Sequence, residues 1–194
     1  MLFFKHRINT SEELKNVPKN MGVELDIRYE GRKLILHHDA FTTGEDFESY
    51  LKNYQHAGMI LNVKSEGIEE AILELMQKYH IENYFFLDVS FPTLIKLHRT
   101  GISKTAIRFS EYEPIEQCMA LKNIVQWVWV DCFDFCPLTK ENHTQLKKYF
   151  KICLVSPELQ KHPLERIEEF KKQLDGLEID AICTKRPELW QNSI

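Results

Sequence analysis

Glycine is scarce in this chain: there are seven among 194 residues. None of them forms a G-x-G-x-x-G or G-x-x-x-x-G-K run after a strand-like stretch, which removes the dinucleotide-binding and P-loop readings of an α/β pattern. Long apolar runs are missing as well. The opening MLFFKHR is too short for a signal peptide, and no later run approaches a membrane span. There is no cationic excess: 25 Lys and Arg against 29 Asp and Glu leave a formal charge of −4 and a pI near 6.1. That balance gives no nucleic-acid footprint. The five cysteines are odd in number and lack framework spacing, which suits a reducing cytoplasm better than a secreted scaffold. Cys132 and Cys136 in DCFDFC have no second pair to complete a tetrahedral metal site and read as buried thiols. The expectation is a cytoplasmic protein of one domain, residues 1–194, with no membrane span and no nucleic-acid partner.

What the chain does have is a period that switches repeatedly. Strand-like runs occur at 2–8, 22–29, 58–65, 83–90, 104–111, 125–133, 150–159 and 180–185, most of them rich in β-branched or aromatic residues. Helix-like stretches fill the gaps. In GIEEAILELMQKYH (67–80), Ile68, Ile72, Leu75, Met76 and Tyr79 make one stripe and acidic residues line the other face. PLERIEEFKKQLDG (163–176) has Pro163 suited to a first turn and Gly176 to a C-terminal cap. Eight strands, nearly all followed by a helix, predict an α/β fold: a compact (βα)8 TIM barrel with short loops. An open doubly wound sheet is the alternative, and the missing glycine-rich loop counts against it.

In such a barrel, chemistry gathers at the C-terminal strand ends. There the sequence places His6 and Arg7, then Glu24, Asp26 and Arg28, then Asn62 and Lys64. Later strands add Asp88, Arg108, Glu111, Asp131, Glu158 and Lys185. Glu24 and Asp26 share one strand face by the two-residue period. Two carboxylates side by side raise each other's pKa unless a cation lies between them, and such a pair is half of a Mg2+ or Ca2+ site. The alternative, surface acids neutralised by Arg28 or Arg32, stays open at this point. His6 and His38 are candidates for acid and base work near neutrality. His37 alternates with His38, so one of the two at most faces a site. Trp127 and Trp129 share a face; core packing accounts for both, and Trp129 is placed to line a pocket mouth beside Asp131.

Six stretches carry a resemblance: HR at 6–7, NT at 9–10, GVELDIRY at 22–29, LILHHD at 34–39, LNVKSE at 61–66 and DAICTKRPELW at 180–190. Together they resemble the glycerophosphodiester phosphodiesterase family and its relatives, the phosphatidylinositol-specific phospholipases C. The resemblance implies general acid and base roles for His6 and His38, a divalent metal (Mg2+ or Ca2+) on Glu24 and Asp26, and phosphate contacts from Arg7 and Lys64. Three positions depart from the family pattern: Ile8 replaces a Gly, the Glu before Asn-Thr is missing, and Asn62 stands where a ligand Glu is usual. Three ways of filling the thinned cage follow. Asn62 joins through its carbonyl, or Asp88 or Glu111 replaces a ligand, or Lys64 or Arg108 supplies the positive charge. The implied function is phosphoric diester hydrolysis of a small glycerophosphodiester-like or sugar or polyol phosphodiester. Its rivals are a barrel that binds a phosphorylated sugar or polyol without turnover, and a metal-dependent sugar isomerase or epimerase.

Overall fold

A computed structural model describes residues 1–191 of the chain. All eight expected strands are present, as β1 (Leu2–Lys5), β2 (Gly22–Glu30), β5 (Gly58–Val63), β6 (Tyr84–Leu87), β7 (Ala106–Phe109), β8 (Trp127–Val130), β9 (Lys151–Val155) and β10 (Ala181–Thr184). They form a curled, mostly parallel sheet whose ladders run β6-β5-β2-β1-β10-β9-β8-β7. Helices α1 (Ser11–Lys15), α2 (Phe47–Leu51), α3 (Glu69–Lys78), α4 (Phe91–Arg99), α5 (Ile115–Ala120), α6 (Lys140–Lys147), α7 (Arg166–Gln173) and α8 (Pro187–Gln191) return the chain between strands. Helix α7 starts three residues after Pro163, which instead opens a turn by accepting from the Arg166 N–H. Among the described residues no helix is long and apolar enough to cross a membrane.

The fully closed (βα)8 barrel expected from the sequence is only partly realised. Between β6 and β7 there is no ladder, only the single parallel bridge Phe86–Thr105. The Thr105 N–H turns back to Ser103 at 2.7 Å on one side. On the other side Asp88, just after β6, takes φ +59°. A second departure is an antiparallel excursion, β3 (Lys33–Leu36) and β4 (Glu45–Asp46), which extends the upper half of β2. Its strands are too short to stand out in a sequence pattern.

The inward faces of the parallel strands are apolar below and polar above. Phe4 meets Phe85 edge-on at 6.0 Å, and Phe85 stacks on Trp127 at 4.6 Å, so an aromatic plug fills the floor. Gly22 makes room for it: a Cβ there would stand 2.4 Å from the Phe4 ring and 2.8 Å from the Gly58 carbonyl. Above the plug the same inward positions become Glu24, Asp26, Asn62 and Arg108. Outside the sheet, one apolar cluster packs α1, α2 and α3 on β2 and β5, and another packs α4 to α8 on β7 to β10.

Gly22→Ala is expected to cost about 1–3 kcal/mol by overpacking. Adding Phe4→Leu should recover part of the loss. Urea denaturation of the single and double variants measures both effects.

Candidate functional site

The loop after β1 carries His6, Arg7 and Asn9, and a capping box holds it. The Thr10 side chain accepts from the Glu13 N–H at 3.1 Å while Glu13 accepts from the Thr10 N–H at 3.0 Å. Arg7 sits at φ +55°, an uncommon conformation for a side-chain-bearing residue. That turn aims its backbone N–H at Glu24 Oε2, 2.7 Å away.

Glu24 and Asp26 point inward from β2 and are fully buried. The surface-acid reading of the pair is therefore excluded. Each has partners from this chain. Asn62 Nδ2 donates to Glu24 Oε1 at 2.9 Å. Asn9 clamps Asp26 twice, donating from Nδ2 to Oδ2 at 3.0 Å and accepting its backbone N–H at 2.8 Å. Arg7 Nε lies 3.9 Å from Asp26 Oδ2, and Lys64 Nζ lies 3.7 Å from Oδ1. Burial, reinforced by the Asp26 charge, pushes the Glu24 carboxyl up to about 7. His6 Nε2 stands 3.8 Å from Glu24 Oε2. Burial, then the charges of Arg7, Lys185, His38 and Lys64, pull His6 down to about 3, so its ring is neutral at physiological pH.

His38 reaches the site from the end of β3. Arg28 holds that end, donating to the His38 carbonyl from Nε and Nη2 at 3.0 and 2.6 Å, and to the Lys64 carbonyl from Nη1 at 3.1 Å. The Asp39 carboxylate contacts His38 Nδ1 at 2.8 Å, which leaves Nε2 for a substrate. His37 faces the other way and is used locally, its Nδ1 accepting the Asp39 N–H at 3.0 Å.

These residues border one cavity of about 590 Å³, lined by His6, Arg7, Glu24, His38, Asn62, Lys64, Arg108, Trp129 and Asp131, with Glu158, Gln160, Lys161 and Lys185 on the far wall. Asp26 lies behind Glu24 and Lys64. Asp88 does not line the cavity but braces two residues that do, bonded to Lys64 at 3.2 Å and to Arg108 Nε at 2.8 Å. Arg108 also pairs with Asp131, which accepts from Gln160 at 2.6 Å and from the Trp129 indole at 3.3 Å. Glu111 does not line the cavity. Its Oε1 accepts the backbone N–H groups of Asp134 and Phe135, so it braces the loop after β8. Trp127 belongs to the plug. Gln160 and Lys161 carry no sequence signal, since they sit in a 3₁₀ turn at Pro157–Gln160 and its left-handed cap. Asn9 stands in the quoted Asn-Thr step, but its clamp on Asp26 shows only in three dimensions.

The donor set fits a hard divalent cation. Asp26 Oδ1 and Asn62 Oδ1 are buried acceptors with no hydrogen-bond partner. They stand on register partners of adjacent strands, with Glu24 beside them. Among the described residues no group of three or more His, Cys, Asp or Glu side chains is placed to hold a metal. The available set is therefore two carboxylates and one amide oxygen, with remaining positions open to water or phosphate.

The raised Glu24 carboxyl gives a signed pH effect. From about pH 4.5 up through about 7, folded Glu24 keeps a proton that the unfolded chain has lost, so stability falls as pH rises across that window. Glu24→Gln lacks this slope. In chelator, urea midpoints of the variant relative to wild type should climb from pH 5 to 7 and then level off.

Structure comparison reaches further than sequence. No family model and no curated relative matches the chain. A solved structure from Agrobacterium tumefaciens, provisionally assigned as a glycerophosphoryl diester phosphodiesterase, superposes with a TM-score of 0.69 at 14% identity, covering 97% of this chain and 95% of that one. A glycerophosphoryl diester phosphodiesterase from Parabacteroides distasonis gives 0.68 at 13% identity, covering 100% and 85%. By these two superpositions, over nearly its whole length, the chain has the fold of the glycerophosphoryl diester phosphodiesterases.

Proposed function

We propose that the chain is a phosphodiesterase that cleaves a small phosphoric diester at the mouth of its curled, mostly parallel sheet. The observation that carries this is the convergence of His6, His38, Arg7 and Lys64 on one cavity over a buried pair of carboxylates. An anion entering it meets Arg7, Lys64 and Lys185, which grip phosphate oxygens by charge-assisted bonds. Burial is the larger part of what holds His6 down; the same anion offsets the remaining part, the charges of Arg7, Lys185 and Lys64.

His6 is neutral and takes the proton from the attacking hydroxyl as its oxygen bonds to phosphorus. His38, steadied by Asp39, gives a proton to the leaving alkoxide as the other P–O bond breaks. Mg2+ or Ca2+ held by Glu24, Asp26 and Asn62 would supply further stabilisation to the charge on the phosphoryl oxygens. Arg28 is a positioning residue: it fixes the backbone of His38 and Lys64 and touches no reacting atom.

His6→Ala and His38→Ala should each lower turnover of a glycerophosphodiester by about 10²–10⁴-fold while inorganic phosphate binds with nearly unchanged affinity. A nitrophenyl diester, whose leaving group needs no proton, should rescue His38→Ala and not His6→Ala. Wild-type protein that binds phosphate yet leaves every diester intact, with and without Mg2+ or Ca2+, would replace this reading with a binding barrel.

A further inference from the structure

Nearly half of the basic residues lie where helices end. Seven stretches carry the chain from a helix end into the next parallel strand: 15–21, 52–57, 78–83, 99–105, 121–126, 147–151 and 171–180. They hold 12 of the 25 Lys and Arg but four of the 29 Asp and Glu. Because these strands are parallel, all seven stretches lie at the end of the sheet opposite the mouth. A chain with a formal charge of −4 thus turns a cationic end away from its cavity.

The charge is densest under β7, β8 and β9. Arg99 and Lys104 precede β7, Lys122 precedes β8, and Lys148 and Lys151 lead into β9, with no Asp or Glu in those three stretches. Ala106, Trp127 and Lys151 are register partners, so the stretches arrive side by side. Lys147, the sixth cation there, is neutralised by Asp180 at 2.8 Å. Among the described residues the other five have no ion-pair partner. Three are held over aromatic rings instead: Lys104 at 4.7 Å from the Tyr84 centroid, Lys122 at 5.5 Å from Tyr149 and Lys151 at 5.4 Å from Trp127. A ring steadies an ammonium without cancelling its charge.

Helix C-termini attract cations, which accounts for Arg99 in the last turn of α4 and Lys148 at the cap of α6. Lys104, Lys122 and Lys151 lie beyond the helix caps and need another reason. The five cations spread over the ends of three adjacent strands and not along one groove or helix, which matches a planar anionic surface and not a nucleic-acid duplex. Tyr149, 41% exposed beside Lys122, supplies an amphipathic ring of the kind that sits at lipid headgroups. A second copy cannot offer this same face, since cations would meet cations.

We propose that the end face under β7, β8 and β9 docks electrostatically on an anionic lipid bilayer and leaves the mouth turned toward water. The proposal is independent of the chemistry at the mouth. The test is co-sedimentation with vesicles of phosphatidylcholine alone and of an equal mixture with phosphatidylglycerol, in about 0.1 M and about 1 M salt. Wild type should sediment with the mixed vesicles at the lower salt only. The triple variant Lys122→Glu, Lys148→Glu and Lys151→Glu changes three exposed side chains and should weaken that binding at least about a hundredfold. The control Arg32→Glu, Lys33→Glu and Lys140→Glu makes the same change in net charge from exposed positions outside the seven stretches, and should bind nearly as wild type does.

Equal sedimentation with both vesicle types overturns the proposal, and so does equal weakening by the two triple variants. Capture of duplex DNA with no vesicle binding, or self-association that the end-face variant abolishes, gives the face a different partner and overturns it too. Turnover of a soluble diester, present or absent, bears on the phosphodiesterase reading alone.

Discussion

Two carboxylates buried side by side constrain everything around them. Removing each ion from water costs several kcal/mol even after relaxation, and the second charge adds repulsion. The chain meets this with directed dipoles and nearby cations. The left-handed turn at Arg7 trades backbone strain of about 1–2 kcal/mol for a hydrogen bond to Glu24. Asn9 gives both ends of its amide to Asp26, and Lys64 and Arg7 approach from above. Even so, Glu24 titrates near neutrality and two oxygens remain without partners. The pair is thus left incompletely compensated by its own surroundings.

From that pair a chain of alternating charge runs across the mouth. Asp26 faces Lys64, Lys64 bonds Asp88, Asp88 bonds Arg108, and Arg108 pairs with Asp131. The step from Asp88 to Arg108 crosses the gap between β6 and β7. Where the hydrogen-bond ladder stops, an ion pair takes over the job of joining the two strands. Both partners are largely shielded from solvent, so salt screens this link less than it screens surface pairs such as Lys96–Glu70.

Much of this was legible in the sequence because alternation within a strand is a local property. All eight parallel strands were readable from period and composition, and so was the shared face of Glu24 and Asp26. The same parity separates His38 from His37 and puts Trp127 and Trp129 on one face. What escaped is long-range. The β3–β4 excursion is too short to show a period. The open seam is followed by a left-handed Asp88, a conformation that Asp merely tolerates. Glu111, which ends a strand-like run just as Asp131 does, is diverted to two backbone N–H groups by a loop 23 residues away. The family resemblance supplied the roles proposed for His6 and His38, but the braces Asn9 and Arg28 follow from contacts across the sheet.

Among the described residues, the two outer apolar clusters share only Phe3 and Val89 among their packed side chains. The first half of the chain brings both histidines, the Glu-x-Asp pair, Asn62 and Lys64. The second brings Trp129, Asp131, Gln160, Lys161 and Lys185 as the opposite wall. The cavity thus divides its lining by position in the chain, with both histidines, Glu24 and Lys64 set before residue 90 and most of the facing wall set after it. Evolution or a designer exchanging the second half for another four-stranded half-sheet would change that facing wall and leave both histidines, Glu24 and Lys64 in their own frame.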